Sequence, residues 1–410
     1  MNYTTLTFVI IAILLLDFLV EHTLSFLNAK YAKTELPEEL SDVYDKNEYA
    51  RQQMYLRANK QFAHVSGAFS FLLILAMILF GGFAIVGQWA DSVAANPILV
   101  SLIFFGVLFL ANDLISTPFD WYGHFVIEER FGFNKMTLKT FFADKFKGLV
   151  LMAIVGGLIL ALIEWIYFSV GSGFWFYAWI IMAAFSIFMN MFYAQLIVPI
   201  FNKLTPLEEG ELRDAIEKFG KEAGFQLDNI FVMDGSKRST KANAYFSGLG
   251  AKKRIVLYDT LINELTTDEI VAVLAHEVGH YKHKHTFCFL LLSLLNSLIM
   301  LSLLGQVLDN DALAQALGMN EASFHVNMLV FGLLFTPVSV FIGVIINIIS
   351  RRFEYQADRF AKEHGLGDEL ISALKKISAK ALSNLQPHPA YVFFYYSHPT
   401  LLQRIRAIKN

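Results

Sequence analysis

The sequence has almost no cysteine and unusually little charge. Cys288 is the only cysteine among 410 residues, which excludes an internal disulfide framework and any zinc site built from cysteine thiolates. Charged residues make up only 17% of the chain, against about 25% in soluble domains, while 55% of the chain is hydrophobic. The formal net charge of −3 shows no basic excess of the kind that nucleic-acid-binding proteins carry. This composition predicts an integral membrane protein that binds no nucleic acid.

Seven segments are long and apolar enough to cross a bilayer, which requires roughly 20 mostly apolar residues. The predicted spans are residues 5–27, 64–88, 97–117, 148–170, 174–200, 286–308 and 326–349. The first segment has no Lys or Arg before it and no small-residue cleavage site after it, although a removable signal peptide needs both. We therefore expect it to be a retained transmembrane helix.

Basic residues alternate between the connections that join these spans. Lys and Arg occur in connections 28–63, 118–147 and 201–285 and in the tail from Arg351, whereas 1–4, 89–96, 171–173 and 309–325 have none. Because basic connections stay in the cytoplasm, the alternation predicts an outside N-terminus and a cytoplasmic C-terminus. It also supports the count of seven spans. We expect the bacterial inner membrane or the eukaryotic endoplasmic reticulum, depending on the source.

The connection before the sixth span contains the pattern His-Glu-x-x-His. His276 and His280 are about one turn apart on a predicted helix, so both imidazoles can reach one metal ion. Glu277 lies beside them, where it can take a proton from an attacking water molecule. A capping box at Thr266–Glu269 starts this helix, which we expect to run on into the sixth span. The pattern is typical of zinc metallopeptidases.

A zinc peptidase needs a third protein ligand and an open position for water. The extended pattern with a third histidine fails here, because His283 and Thr286 occupy the positions that require glycine and histidine. The remaining candidate is a carboxylate on a second helix, and the segment after the last span offers Glu354 and Asp358 one turn apart. One of these can bind the metal while the other holds a ligand histidine through its second ring nitrogen.

The same connection also carries the pattern of a small α+β unit. Leu207–Gly224 is predicted to be an amphipathic helix that ends at glycine. The predicted short strands are Asn229–Met233, Asn243–Ser247 and Arg254–Tyr258.

Taken together, these motifs resemble the type I CAAX prenyl proteases, the seven-span zinc endopeptidases of the gluzincin group. The resemblance covers essentially the whole chain. It rests on four motifs in order, which are Asn243–Tyr245, His276–Lys282, Phe353–Asp358, and Tyr396–Pro399 followed by Arg404. The related heat-shock membrane proteases of bacteria share the zinc motifs but have fewer spans, and they fit less well.

The resemblance implies roles for the metal ligands that spacing alone leaves open. It implies that His276, His280 and Glu354 bind one zinc ion per chain, and that Asp358 supports this set from behind. Glu277 would be the general base.

The resemblance also implies how a substrate is held. Asn243, Ala244 and Tyr245 would form the edge strand on which an extended peptide pairs, and His398 and Arg404 would stabilise the oxyanion. The implied reaction is release of the last three residues from a prenylated C-terminal Cys-aliphatic-aliphatic-X tail.

The predicted fold class is all-α integral membrane, with seven transmembrane helices that form a barrel-like chamber and a small cytoplasmic α+β zinc-peptidase domain. The predicted division of the chain is 1–200 with five spans, 201–285 with the HExxH motif, 286–349 with spans six and seven, and 350–410 with the third ligand and the oxyanion residues.

The sequence leaves the natural substrate open. We expect a peptide or protein substrate, prenylated or unprenylated, that is associated with membrane lipid. A broad-specificity protease for membrane-protein quality control is the alternative. A transporter or an inactive metal-binding scaffold is disfavoured, because no catalytic residue of the motif is missing. The sequence does not determine the oligomeric state.

Overall fold

The structure is a computed structural model, and it describes residues 2–31, 36–224, 230–248 and 254–410. Asn229, the first residue of one predicted strand, therefore lies outside the described residues. The helices of the N-terminal half are α1 (Tyr3–Lys30), α2 (Lys46–Leu79), α3 (Gly82–Val93), α4 (Pro97–Tyr122), α5 (Leu138–Leu151), α6 (Gly157–Val170), α7 (Phe174–Leu196) and α8 (Val198–Phe201). Short π-helical segments, Gly123–Glu128 and Met152–Gly156, extend α4 and join α5 to α6.

The C-terminal half combines a small sheet with further helices. Its elements are β1 (Leu204–Pro206), α9 (Glu211–Glu222), β2 (Ile230–Met233), β3 (Ala244–Ser247), β4 (Arg254–Tyr258), α10 (Asp259–Glu264), α11 (Thr267–Lys282), α12 (His285–Val307), α13 (Asp311–Ala316), α14 (Phe324–Glu363), α15 (Gly367–Lys380), α16 (Pro389–Tyr395) and α17 (Leu401–Lys409).

Six helical stretches of the described chain are long and apolar enough to cross a membrane. One of them, Leu138–Phe201, has 64 residues and contains a turn at Gly171–Gly173, where Gly171 adopts φ 71°. The helices on either side of this turn, α6 and α7, pack against each other, so this stretch supplies two of the predicted spans. The predicted fold class, a helical membrane protein with a small sheet-containing domain, is thus confirmed.

The second predicted span is displaced from its expected bounds. Residues 64–88 do not form one helix, because α2 ends at Leu79 and α3 begins at Gly82. Gly81 lies between them in the left-handed region at φ 67°, which glycine adopts without steric cost and which ends the α-helical path. The span instead starts within the long helix α2, which Asp45 caps by accepting a hydrogen bond from the Glu48 N–H.

The expected continuation of the metal-motif helix into the sixth span is wrong. The helix α11 ends at Lys282, and α12 begins at His285. Lys284 lies between them in the left-handed conformation at φ 59°, which costs a non-glycine residue roughly 1–2 kcal/mol and interrupts the helical hydrogen bonds. The interruption turns the start of α12 back toward the end of α11.

The sheet has the strand order β1-β2-β4-β3, with β2 and β4 parallel and the two outer strands antiparallel to their neighbours. The predicted strands are present, and β1 is an additional strand that only three residues form. The helix predicted from Leu207 begins later, at Glu211, and Gly224 at φ 61° closes it. Since β3 is the last strand in the order, its outer side is an edge.

Two of the hydrophobic clusters among the described residues join the halves of the molecule. Buried residues of α9, α10, α11, α15, α17 and the sheet form one continuous hydrophobic cluster. Another cluster joins α1, α3, α4, α13 and α14. The 40-residue helix α14 contributes to both, since Val330 lies in the membrane cluster and Ala361 in the other.

A cavity of about 750 Å³ lies among the membrane helices. Its walls come from α2, α4, the π-helical segment that follows α4, and the loop that carries Arg238 and Lys241. Polar Asn112 faces it alongside aromatic Phe62 and Phe119. Polar and aromatic side chains therefore share the wall of this cavity.

Candidate active site

Three side chains converge where α11 crosses α14. Nε2 of His280 lies 3.1 Å from Nε2 of His276, and the two nitrogens lie 3.3 and 3.5 Å from the oxygens of Glu354. Glu354 and His276 are buried, with 4% and 6% of their surface exposed. Among the described residues, the ligand atoms of His276, His280 and Glu354 lie close enough together to hold one metal ion. We call these three residues the ligand group.

These spacings fit a zinc ion. Tetrahedral zinc binds imidazole nitrogen and carboxylate oxygen at about 2.0–2.2 Å, which places ligand atoms roughly 3.3 Å from one another. The two histidine nitrogens are 3.1 Å apart, Nε2 of His280 lies 3.3 Å from Oε1 of Glu354, and Nε2 of His276 lies 3.5 Å from Oε2, so all three separations are close to this value. Oxygen Oε2 of Glu354 is buried and has no hydrogen-bond partner among the described residues, as expected of a metal-binding oxygen. Two histidines with one carboxylate form the ligand set of several zinc peptidases.

Gly279 lets the two ligand-bearing helices approach each other. A Cβ atom at this position would lie 3.0 Å from the Cα atom of Ala357 and 3.0 Å from the Cβ atom of Phe360. Both neighbours belong to α14, so the glycine between the two histidines of the motif brings Glu354 within reach of them. Thr266 and Glu269 form the predicted capping box at the start of α11.

Asp358 and Arg404 support His276 from the side away from the ligand centre. Oδ1 of Asp358 lies 2.9 Å from Nδ1 of His276, which leaves Nε2 for the metal. The guanidinium of Arg404 binds Asp358 in a bidentate manner, with Nη2 donating at 2.6 Å and Nε at 2.9 Å. All three residues are at most 9% exposed. Two of the three nitrogens of Arg404 are therefore committed to Asp358, and the third, Nη1, lies 3.5 Å from Glu354.

His280 has a different support. Its Nδ1 lies 2.9 Å from Nδ1 of His285, and Nε2 of His285 lies 2.8 Å from Oε1 of Gln356. The ring of His285 stacks on Phe353, with the ring centroids 3.9 Å apart and the planes at 7°. The sequence analysis missed this support. A periodicity argument could not have found it, because only the left-handed turn at Lys284 brings His285 back to His280.

The ligand group opens into a cavity of about 970 Å³. Glu277 and His398 line this cavity together with the predicted strand residues Asn243, Ala244 and Tyr245. The backbone C=O of Asn243 accepts a hydrogen bond from the Tyr258 N–H at 3.1 Å, so the strand's other side is the one that can receive an added chain.

His398 reaches the site from the C-terminal tail. Its Nε2 lies 3.3 Å from Oε1 of Glu354, and its Nδ1 lies 2.9 Å from Oγ of Ser397. Two side chains of α14 fix this tail, since Asn347 donates to the C=O of Phe394 at 2.8 Å and Arg351 donates to the C=O of Val392 at 3.2 Å. The side chain of His398 keeps 61% of its surface exposed, so it remains open to a substrate.

Burial and neighbouring charges shift the pKa values of His280 and His398. Burial alone would lower the pKa of His280, but the hydrogen bond and attraction from Glu354 outweigh it, and the pKa is raised. The pKa of His398 is lowered, because the desolvation that the neighbouring groups cause outweighs the attraction of Glu354.

The structure thus brings together all the residues that the sequence singled out. His276, His280 and Glu354 form the ligand group, Asp358 and Arg404 lie directly behind it, and Glu277, His398 and β3 face the cavity. His283 is exposed and lies outside the ligand group. Gly279, His285 and Gln356 are the contributors that the sequence analysis did not identify.

Comparison with known proteins gives matches over nearly the whole chain. A family model described as the five-helix N-terminal membrane domain of CAAX prenyl proteases matches residues 27–203, and the model of peptidase family M48 matches residues 206–410. CAAX prenyl protease 1 of Saccharomyces cerevisiae is 35% identical over 405 residues, which cover 92% of this chain and 89% of the relative. The human homolog of CAAX prenyl protease 1 is 31% identical, with 92% and 89% coverage.

A solved structure matches as well. The crystal structure of Ste24p from S. mikatae superposes with a TM-score of 0.94 at 34% sequence identity, and the match covers 99% of both chains.

Proposed function

The chain belongs to peptidase family M48 and is a membrane-embedded metallopeptidase, and on that premise we propose that it is a zinc endopeptidase for C-terminal CAAX tails. The observation that carries the proposal is the convergence of His276, His280 and Glu354 at 3.1–3.5 Å beside Glu277 in an open cavity. We assign one zinc ion per chain to this ligand group.

A bound zinc ion would lower the pKa of an attacking water molecule and polarise the substrate carbonyl. The residues of the chain supply the proton transfers. Glu277 takes the proton from the water and delivers it to the leaving amine, a role that typically contributes 10²–10⁴-fold to the rate. Its position in the cavity next to the ligand histidines supports this assignment.

His398 is proposed to stabilise the oxyanion of the tetrahedral intermediate. A neutral imidazole whose Nδ1 accepts from the Ser397 hydroxyl carries its proton on Nε2, the nitrogen that lies 3.3 Å from Glu354 at the ligand centre. That N–H can donate to an oxygen that develops negative charge there. Arg404 adds positive charge through Nη1, while its other nitrogens hold Asp358.

The substrate is proposed to pair along the outer edge of β3. An extended peptide can add to an edge strand through main-chain hydrogen bonds, and β3 is the strand that lines the cavity of the ligand group. Asn243, Ala244 and Tyr245 would then fix the direction of the peptide relative to Glu277.

The name of the relatives points to prenylated substrates, and two features of the chain support the same choice. The loop before β3 joins two cavities, since Ser239 and Lys241 line the membrane cavity and Ala242 and Asn243 line that of the ligand group. Aromatic Phe62 and Phe119 in the membrane cavity offer an apolar surface to an isoprenyl chain.

We also propose that the active site lies on the cytoplasmic side, because the connections on that side carry the basic residues.

The test is zinc content and cleavage by the detergent-purified protein beside a Glu277→Gln variant. The substrates are a farnesylated CAAX peptide and its unprenylated control. We expect about one zinc per chain in both proteins, cleavage of the farnesylated peptide, and a loss of 10²-fold or more in the variant. Cleavage of both peptides at equal rates would favour the broad-specificity protease. Zinc without cleavage that depends on Glu277 would leave an inactive metal-binding scaffold.

A further inference from the structure

The two histidines of the ligand group are held in chemically different ways. A carboxylate, that of Asp358, faces Nδ1 of His276 at 2.9 Å. A second imidazole, that of His285, faces Nδ1 of His280 at the same distance. His285 is 2% exposed, so water does not readily replace it.

The positions of the protons on His280 and His285 follow from what metal binding requires of His280. A neutral imidazole that binds a metal through Nε2 carries its proton on Nδ1, so His280 is a donor at Nδ1. The facing Nδ1 of His285 must then be the acceptor, which places the proton of His285 on Nε2. Oε1 of Gln356, 2.8 Å from that Nε2, is an acceptor for it. Each hydrogen bond in this chain of three side chains has one donor and one acceptor.

We propose that His285 and Gln356 are positioning residues that orient His280 for metal binding through an uncharged hydrogen-bond relay. This inference rests on the proposed function, because it takes His280 Nε2 as a metal ligand. The relay fixes both the tautomer and the rotation of the His280 ring before an ion arrives. A ligand that is already oriented loses less conformational freedom on binding, so the relay increases metal affinity.

The surroundings of His285 are built to hold it in this orientation. Its ring stacks on Phe353 at 3.9 Å, and the left-handed Lys284 places it at the first turn of α12. The helix α14 thus supports both ligand histidines. Asp358 contacts His276 directly, and Gln356 contacts His285, which in turn contacts His280. Gln356 is exposed, so water can partly replace it, and its contribution should be the smaller one.

The test measures the zinc dissociation constant of the detergent-purified full-length chain by competition with a chelator. The variant His285→Phe keeps an aromatic ring to stack on Phe353 but removes the acceptor for His280. Loss of such an outer contact typically costs 10–100-fold in metal affinity, and we expect a weakening in that range. The matched control is His364→Phe at the exposed end of α14, which should leave zinc affinity unchanged.

A second pair of variants separates hydrogen bonding from packing. Gln356→Leu removes the acceptor for His285 and should weaken zinc binding less than His285→Phe does. Gln356→Glu keeps an acceptor oxygen for His285, so it should weaken zinc binding less than Gln356→Leu does. The visible absorption spectrum of the Co²⁺-loaded protein, which reports ligand geometry, should change in His285→Phe and stay unchanged in Gln356→Glu.

Unchanged zinc affinity in both His285→Phe and Gln356→Leu would overturn the relay. So would equal weakening in Gln356→Leu and Gln356→Glu, because the acceptor oxygen would then not matter. A wild-type protein that binds no zinc, or that shows no Glu277-dependent cleavage, would instead count against the proposed function. The two failures are therefore distinguishable.

Discussion

The ligand group and a second buried cluster, which joins α4, α6 and α14, both contain histidine and glutamate but differ in how these residues are connected. In the second cluster Oγ of Ser101 on α4 donates to Oε1 of Glu164 on α6 at 2.7 Å and lies 3.2 Å from Nδ1 of His325 on α14. These three residues are at most 3% exposed. Glu164 and His325 each keep one buried polar atom without a hydrogen-bond partner among the described residues.

The difference shows what turns buried histidine and glutamate into a metal site. At the ligand group, two histidines and a carboxylate point their ligand atoms at one centre, and other side chains fix the remaining nitrogens of both rings. In the Ser101–Glu164–His325 cluster a hydroxyl bridges one histidine and one carboxylate, so the arrangement joins three helices. The two clusters share α14, but His325 and Glu354 lie ~44 Å apart along it at 1.5 Å per residue. We therefore expect substitutions in the two clusters to act independently.

The largest expected contrast comes from removing the charge of each buried glutamate. Glu354→Gln takes away an ionised ligand, so zinc affinity and kcat/KM should each fall by more than the roughly 100-fold that loss of an outer contact costs. Glu164→Gln should leave both quantities within about twofold of wild type, because its side chain bonds to Ser101 rather than to the ligand group. Zinc titration and peptide cleavage measure the two effects. A comparable loss of zinc in Glu164→Gln would show that α14 couples the clusters.

The sequence predicted the first cluster and could not predict the second, for a physical reason. His276 and His280 share a helix face, so their spacing alone implies that both can bind one metal ion. Glu354 and Asp358 have the same spacing. Ser101, Glu164 and His325 lie on three helices far apart in the sequence, and no periodicity relates them. Glu164 is an ionisable residue within the predicted span 148–170, but nothing in the sequence names its partner.

The helix boundaries show the same limit. Hydropathy located the membrane segments, since apolar runs of the required length are a local property. Two helix breaks were missed, at Gly81 and at Lys284, where the backbone is left-handed. Glycine at the first gives a weak indication, but lysine at the second gives none, because tertiary contacts of His285 stabilise that conformation.

The next effect in size should come from Gly279→Ala. The added methyl group would meet Ala357 and Phe360 at 3.0 Å, so α14 must move away from α11 and carry Glu354 with it. Overpacking of this kind costs about 1–3 kcal/mol, which exceeds the gain of about 1 kcal/mol from the better helix propensity of alanine. We expect weaker zinc binding together with a lower unfolding temperature. The control is Gly332→Ala, where a Cβ atom would meet nothing within 4 Å. An unchanged zinc affinity in Gly279→Ala would contradict the close approach.

The region of the ligand group should also be sensitive to acid. Burial would raise the pKa of Glu269, but its contacts with Lys376, Ser372 and the Thr266 N–H outweigh burial and lower the pKa. The pKa of this carboxylate is lower in the folded state than the value of about 4.3 in the unfolded state, so its ionised form stabilises the fold at pH values above about 4.3. As the pH falls through the folded-state pKa, the carboxylate becomes protonated and this stabilisation is lost. Glu269→Gln should therefore cost about 1 kcal/mol at pH 7, since Lys376 is 43% exposed, and less near pH 4. Thermal unfolding at the two pH values measures this, and an equal cost at both would refute the ionic origin.

The smallest effect on the ligand group should come from Ser101→Ala, which removes both hydrogen bonds of the Ser101–Glu164–His325 cluster and almost no volume. Hydrogen bonds between membrane helices average about 0.6 kcal/mol each, because the unfolded chain in the membrane also finds partners, so loss of the two bonds should lower the unfolding free energy by about 1 kcal/mol. Ser297→Ala is the matched control, since that hydroxyl bonds to Leu294 of its own helix and joins no others. Zinc affinity and cleavage should be unchanged in both variants. If Ser101→Ala instead reduced zinc affinity, the contact between α4, α6 and α14 would determine the position of Glu354 at the other end of α14. The two clusters would then be coupled rather than independent.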